Sequence, residues 1–282
     1  MSTRPLPPPL PAELAALLDQ VAERQRLDFG HMASDLKADG TLITACDRWS
    51  DQTLVDGLAR LYPGEGVLSE EGQQSVPASE AYWVVDPLDG TTNFAAGIPY
   101  WAISLARFEQ GRPVLAVLDV PPLRQRIVAA VGQGAWRNGK RLEQPSLQQH
   151  PAGCASLCSR SIGVLQKLPD QRFPGKIRML GVASLNLVSV AMGQTVAALE
   201  ATPKIWDLAA AWLVLTELQC SLRWLKTSPE AMPAGRDLAQ VDFPLLAADQ
   251  RTTLERFLPW ADALVTPRLS GLLPPLRRTE HS

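Results

Sequence analysis

The sequence predicts a mixed α and β fold in which an antiparallel sheet precedes an alternation of helices and strands. Three apolar segments separated by short turns cover residues 101–108, 113–120 and 126–131. Such spacing is typical of antiparallel hairpins. In the second half, patterns typical of helix, strand and helix cover 183–193, 195–200 and 207–219, with a late strand and helix at 243–248 and 250–259.

The N-terminal third contains two helical patterns and one strong strand pattern. Leucines recur at roughly helical spacing over 12–36, with a break near Gly30, and again over 48–62, which a Pro-Gly pair ends. A short extended segment at 41–44 lies between them. The apolar segment 81–85 predicts a buried strand.

Charge and composition exclude several classes of protein. The chain has 282 residues, of which 46% are hydrophobic, a composition typical of globular proteins. Its 27 basic and 29 acidic residues give a net charge of -2. Proteins that bind nucleic acid or membrane surfaces usually carry a basic excess, so neither partner is expected.

The length alone suggests one large domain or two ordinary ones, and we expect a single compact unit over residues 1–282. Its N-terminal α+β half covers about 12–140 and its C-terminal α/β half about 141–265, with loose tails at 1–11 and 266–282.

The cysteines and the hydropathy pattern indicate a cytoplasmic protein. Cys46, Cys154, Cys158 and Cys220 lack the spacing of a zinc site and are expected to be free thiols in a reducing compartment. The proline-rich N-terminus does not resemble a secretory signal, and no apolar run is long enough for a membrane span.

Two aspartates follow the predicted strand 81–85. Asp86 and Asp89 flank Pro87, which prevents a simple extension of the strand, and Gly90 then permits a tight bend. Carboxylates at a strand end suit Mg²⁺, which prefers oxygen ligands, and the backbone carbonyl of Leu88 can point the same way.

The residues after these aspartates suit a phosphate group. If a helical turn begins at Gly90, the free N–H groups of Gly90, Thr91 and Thr92 face outward and can bind phosphate. An Asp-Gly pair alone is a common polar turn. The complete string Asp86–Phe94 after an apolar strand instead favours a loop that holds both a metal and a phosphate.

Three further acids are candidates for the same site. Glu70 ends the short apolar segment 66–69, although a Glu-Glu pair is often simply solvated. Asp207 and Asp47 each precede a helical pattern, where an aspartate is a favoured N-cap. Cap and metal ligand are compatible roles for Asp207.

The histidines give no candidate base. His31, His150 and His281 are scattered along the chain, so the sequence favours water activated by a metal over a histidine-based nucleophile.

Five separate motifs together resemble the inositol monophosphatase family. They stand in the family's order over about residues 30–220. They are K-A-D-G-T-L-I-T-A-C-D at 37–47, L-S-E-E at 68–71, D-P-L-D-G-T-T-N-F at 86–94, G-V-A-S-L-N at 181–186 and I-W-D-L-A-A at 205–210.

The resemblance implies a layered α-β-α-β-α sandwich and a set of functional residues. The metal ligands it implies for Mg²⁺ are Glu70, Asp86, the carbonyl of Leu88, Asp89 and Asp207. The water-activating group is Thr91, acting with Glu70 and supported by Asp47. Phosphate contacts map to Gly90, Thr91 and Thr92, and polyol contacts to Gly181, Val182, Ala183 and Glu200.

The reaction implied is hydrolysis of a small phosphate monoester by in-line attack of water, with no phospho-enzyme, in a lithium-sensitive homodimer. Inositol monophosphate or a related sugar or polyol phosphate is the expected substrate. The alternatives are histidinol phosphate, 3′-phosphoadenosine 5′-phosphate, and a catalytically inactive protein that binds metal or phosphate. Ser69, Val182 and Lys204 depart from the pattern of inositol-hydrolysing members, and these departures concern the substrate.

Overall fold

The computed structural model describes residues 10–31, 34–37, 42–145, 153–230 and 232–266. Most of the two tails predicted at the chain ends therefore lies outside the described residues, as do His150 and His281.

A seven-stranded sheet forms the first half of the fold. Its strands, in spatial order, are β3 (Gly66–Ser69), β4 (Ala81–Asp89), β5 (Ala102–Glu109), β6 (Arg112–Val120), β7 (Gln125–Ala130), β8 (Gly134–Arg137) and β9 (Lys140–Arg141). β3 runs parallel to β4, and every later neighbour is antiparallel. The predicted meander is confirmed.

The two faces of this sheet pack against different helices. Trp83 and Val85 of β4 face a core shared with α1 (Ala12–Asp28) and α2 (Ala45–Leu61), whereas Tyr82 and Val84 face the opposite core. Side chains of a strand alternate between the faces, so a strand buried on both sides is apolar throughout.

A five-stranded sheet forms the second half. Its strands, in spatial order, are β11 (Lys176–Arg178), β10 (Cys154–Leu157), β12 (Ala197–Glu200), β14 (Leu245–Ala248) and β13 (Ser221–Trp224). A separate two-stranded ribbon pairs β1 (Ser34–Leu36) with β2 (Leu42–Thr44).

Two buried helices lie between the two sheets. The helices α5 (Ala183–Ala191) and α6 (Ile205–Glu217) pack between the sheets in one core. A third core lies under α4 (Val164–Lys167) and α7 (Arg251–Val265), on the outer face of the second sheet. A short α3 (Thr91–Ala95) follows β4. The layers are therefore helix, sheet, helix, sheet and helix, which confirms the predicted sandwich.

Some predicted element boundaries were wrong. The first helix ends at Asp28 instead of residue 36, because Gly30 takes a positive φ of 77° and the chain continues into β1. α2 begins at Ala45 instead of residue 48, with Thr44 as its N-cap. α7 continues to Val265 through Pro259.

All four cysteines are free, as predicted. No helix within the described ranges is both long enough and apolar enough to span a bilayer.

Candidate active site

The turn after β4 brings the signature residues to the edge of the first sheet. The ladder between β4 and β5 changes register between Asp86 and Asp89, and the N–H of Leu88 donates to Oδ1 of Asp86 at 3.0 Å. Gly90 has a φ of 106°, and a Cβ there would lie 2.8 Å from Cγ2 of Val182. Only glycine fits both the turn and this close approach.

Three carboxylates from different elements converge beside this turn. Oxygens of Glu70, Asp86 and Asp207 lie within 4.8 Å of one another. Asp86 is 1% exposed, and its Oδ2 has no hydrogen-bond partner within the part of the chain that the structure describes. Burial raises the pKa of Asp86 well above its ordinary value, and the charges of the other two acids raise it further. Clustered carboxylates, of which Asp86 is buried and has an unpartnered oxygen, suit a divalent cation.

Asp89 lies next to these three acids and bridges to the second half of the fold. Its Oδ2 accepts from the N–H of Ser184, in the first turn of α5, at 2.7 Å. Burial raises the pKa of Asp89 to about 6. Its charge also raises the pKa of Asp86 and of Asp207, so all four acids share one electrostatic site.

A lysine faces the same cluster. Nζ of Lys37 donates to Oε1 of Glu70 at 2.9 Å and also to Oε1 of Glu71. Burial lowers the pKa of Lys37, but the two glutamates outweigh that effect and raise it overall. The lysine is therefore charged and offsets part of the negative charge of the site.

Thr91 and Asp47 are hydrogen-bonded to each other. Oγ1 of Thr91 donates to Oδ1 of Asp47 at 2.7 Å, with the carbonyl of Leu88 3.2 Å away. Oδ2 of Asp47 accepts from the N–H of Thr44 at 2.8 Å. Asp47 is the third residue of α2, so its prediction as the N-cap was wrong, because Thr44 is the N-cap.

Asp207 is likewise the third residue of its helix, α6. Lys204 is the N-cap of α6, and its N–H donates to Oδ2 of Asp207 at 2.7 Å. The prediction of Asp207 as the cap residue was therefore wrong.

A cleft of about 220 Å³ opens beside Asp89 and Asp207. Gly181, Ala183 and Glu200 line it, together with Val182, whose side chain is buried against Gly90. Val182 therefore does not present its side chain to a substrate.

Glu200 is a buried carboxyl group in the wall of this cleft. It is 2% exposed, and Nδ2 of Asn186 donates to its Oε1 at 2.8 Å. Burial raises the pKa of Glu200 to about 8. A second cavity of about 530 Å³ is lined by Lys37 and Glu70, and it shares Asp207 with the cleft as a lining residue.

The structure brings the predicted site residues into one region, with Thr92 exposed in the first turn of α3. Sequence reasoning assigned no role to Lys37, Asn186 or Arg160. The first two lie inside the quoted motifs, and that position was a usable signal. Arg160 lies outside every motif, and nothing in its neighbouring sequence marks it.

A five-layer sandwich that gathers several carboxylates beside a glycine turn defines a class of metal-dependent phosphatases. This chain belongs to the inositol monophosphatase family, whose sequence profile matches residues 12–258. It is therefore a phosphoric monoester hydrolase that uses Mg²⁺, as the resemblance implied.

Individual relatives differ in their named activities. The chain is 30% identical to a fructose-1,6-bisphosphatase/inositol-1-monophosphatase of Thermotoga maritima, over 71% of this chain and 79% of that protein. It is 35% identical to a histidinol-phosphatase of Mycobacterium tuberculosis, over 72% and 82%. A solved Thermotoga maritima IMPase has the same fold, with a TM-score of 0.74 at 24% identity over 88% of this chain and 95% of that one.

Proposed function

We propose that this protein hydrolyses inositol monophosphate or a related sugar or polyol phosphate. The observation that carries the proposal is the buried, hydrogen-bonded carboxyl group of Glu200 in the cleft beside the acidic cluster. A carboxyl group in that position suits a leaving group rich in hydroxyls, because it can exchange hydrogen bonds with them.

The metal ligands in this proposal are Glu70, Asp86, Asp89 and Asp207, with the carbonyl of Leu88. Their convergence and the unpartnered oxygen of Asp86 support the assignment. When bound, Mg²⁺ supplies positive charge to the phosphate oxygens and the leaving alkoxide, and it lowers the pKa of water.

Thr91 orients the attacking water in this mechanism. Its hydroxyl proton is donated to Asp47, so the lone pairs of Oγ1 remain free to accept a hydrogen bond from water. The backbone bond from Thr44 fixes Asp47, and with it the direction of the hydroxyl. Glu70 accepts the proton that the water loses as it attacks phosphorus in line with the leaving group.

The first turn of α3 binds the phosphate. Gly90 caps this helix in a left-handed conformation, so the N–H groups of Gly90, Thr91 and Thr92 have no partner within the helix. On the leaving-group side, the segment Gly181–Ala183 and Glu200 contact the polyol, and Asn186 holds Glu200 in place.

A panel of phosphate esters with Mg²⁺ tests the proposed substrate class. It compares inositol 1-phosphate and a sugar phosphate with histidinol phosphate and 3′-phosphoadenosine 5′-phosphate, measured as kcat/KM for phosphate release. We expect the polyol and sugar esters to be the better substrates. Fast hydrolysis of histidinol phosphate or of the nucleotide, with poor turnover of every sugar ester, would refute the proposal.

An Asp86→Asn variant tests whether the carboxylates act in catalysis. We expect phosphate release to fall by at least about a thousandfold, because the variant removes a charged ligand from the centre of the cluster. Undiminished release would refute the catalytic role of this cluster, whereas wild-type protein that releases no phosphate would support the alternative of a protein that only binds metal or phosphate. Exposed Asp262→Asn on α7 is the matched control.

The homodimer also belongs to this proposal. Ile98, Met179 and Leu180 are each more than 40% exposed, and Nδ2 of Asn93 joins their two segments through the carbonyls of Tyr100 and Leu180. An apolar patch of this kind suits a contact with a second copy. Light scattering should give twice the mass of the chain, and Leu180→Glu should lower it.

We also assign the protein to a reducing, cytoplasmic compartment without a nucleic-acid partner. The four free thiols and the net charge of -2 support this assignment. Fractionation of cells and a filter-binding assay with nucleic acid test it.

A further inference from the structure

An arginine stands at the rim of the candidate active site. Arg160 lies in the turn Ser159–Ser161 that follows β10. It lines both the cleft beside Glu200 and the larger cavity beside Glu70, and Thr202 and Asp207 also line both. A ligand in either cavity can therefore reach this side chain.

Its guanidinium differs from the other cations of the two cavities. Lys37 is paired with Glu70 and Glu71, and Lys204 with Asp242 at 3.0 Å. Arg160 forms no ion pair with any carboxylate of the described residues. Its Nη1 donates to Oγ1 of Thr202 at 2.6 Å, which orients the group and leaves its other N–H groups for a ligand.

The turn that carries Arg160 is fixed to the strand that carries Glu200. Oγ of Ser161 donates to the carbonyl of Leu199 at 3.0 Å, and the N–H of Ala201 approaches Sγ of Cys158 at 3.3 Å. These two bonds flank Glu200 on both sides. The turn of Arg160 and the strand of Glu200 are therefore fixed to each other, and both residues line the same cleft.

We propose that Arg160 binds a second acidic group of the substrate. The preferred substrate is then a sugar or polyol ester with a second phosphate or a carboxylate besides the phosphate that is hydrolysed. The planar guanidinium matches both acidic groups through paired hydrogen bonds. This inference rests on the proposed function, because it names the substrate class of the same site. A leaving group with an amine, such as histidinol, would be repelled.

The test compares matched substrates in wild-type protein and Arg160→Gln with Mg²⁺ at low salt. One pair is fructose 1,6-bisphosphate and fructose 1-phosphate, and the other is 2-phosphoglycerate and glycerol 2-phosphate. The measured quantity is the ratio of kcat/KM for the doubly acidic member to that for its partner. We expect Arg160→Gln to lower this ratio by about tenfold or more in at least one pair.

Two further variants make the result specific. Arg160→Lys keeps the charge but loses the planar guanidinium, so its ratio should lie between those of wild type and Arg160→Gln. Arg256→Gln removes an exposed arginine from α7 and should leave the ratio unchanged.

An unchanged ratio in both pairs with Arg160→Gln, or an equal fall with Arg256→Gln, would overturn the inference. Wild-type protein that releases phosphate from none of the esters would instead refute the proposed function.

Discussion

Glu200 makes the stability of the metal-free protein depend on pH in a calculable way. Burial raises its pKa from the ordinary 4.5 to about 8. The unfolded chain loses this proton near pH 4.5, whereas the folded chain keeps it until about pH 8. The folded state thus binds more protons across this interval, and the free energy of unfolding falls as the pH rises. At about 1.4 kcal/mol per pH unit, the full effect is about 5 kcal/mol.

Glu200→Gln removes this titration and keeps the shape of the side chain. As the pH rises from 5.5 to 8.5, we expect the free energy of unfolding of the variant to increase by about 3 kcal/mol relative to that of wild type. Most of the interval between the two pKa values of Glu200, 4.5 and about 8, lies within this pH range. Urea unfolding in EDTA at several pH values measures it. The acids of the cluster titrate in both proteins, and among them the charge of Asp89 also raises the pKa of Glu200.

The matched control is Glu80→Gln, an exposed glutamate, which should shift stability equally at every pH. Parallel curves for Glu200→Gln and wild type would show that burial does not hold the proton on Glu200.

Three other predictions test neighbouring parts of the site. Thr91→Val should lower kcat by about a hundredfold or more while Thr91→Ser retains most activity, since only the hydroxyl orients water; steady-state kinetics decides. Gly90→Ala should destabilise the protein by about 1–3 kcal/mol more than Gly97→Ala in urea unfolding, because both have positive φ but only the first meets Val182 at 2.8 Å. Mg²⁺ should raise the Tm more at pH 8.5 than at pH 5.5, because burial raises the pKa of the ligand Asp89 to about 6; equal shifts would contradict this.

The signature turn was predictable because its parts are neighbours in the chain. Asp86, Gly90 and Thr91 act within six residues, and strand, bend and helix start follow one another. Glu70 and Asp207 required the family resemblance, since local sequence alone leaves a solvated pair and a helix cap as alternatives.

Arg160 could not be predicted. Its place depends on hydrogen bonds that join its turn to Leu199 and Ala201, about forty residues later in the chain. Such long-range contacts leave no periodicity in the sequence.

Asp47 and Asp207 were wrongly predicted as N-caps, and their actual positions in the helices explain how the site is held together. Each is the third residue of its helix, and each uses one carboxylate oxygen to accept the N–H of the N-cap residue. That bond fixes the side chain and satisfies an orphan donor of the helix end. The second oxygen of Asp47 then holds Thr91, and Asp207 joins Glu70 and Asp86 in the cluster. An aspartate at the N-cap would use its side chain to accept N–H groups of its own helix. At the third position, one carboxylate oxygen caps the N-terminus of the helix while the other is available to the active site.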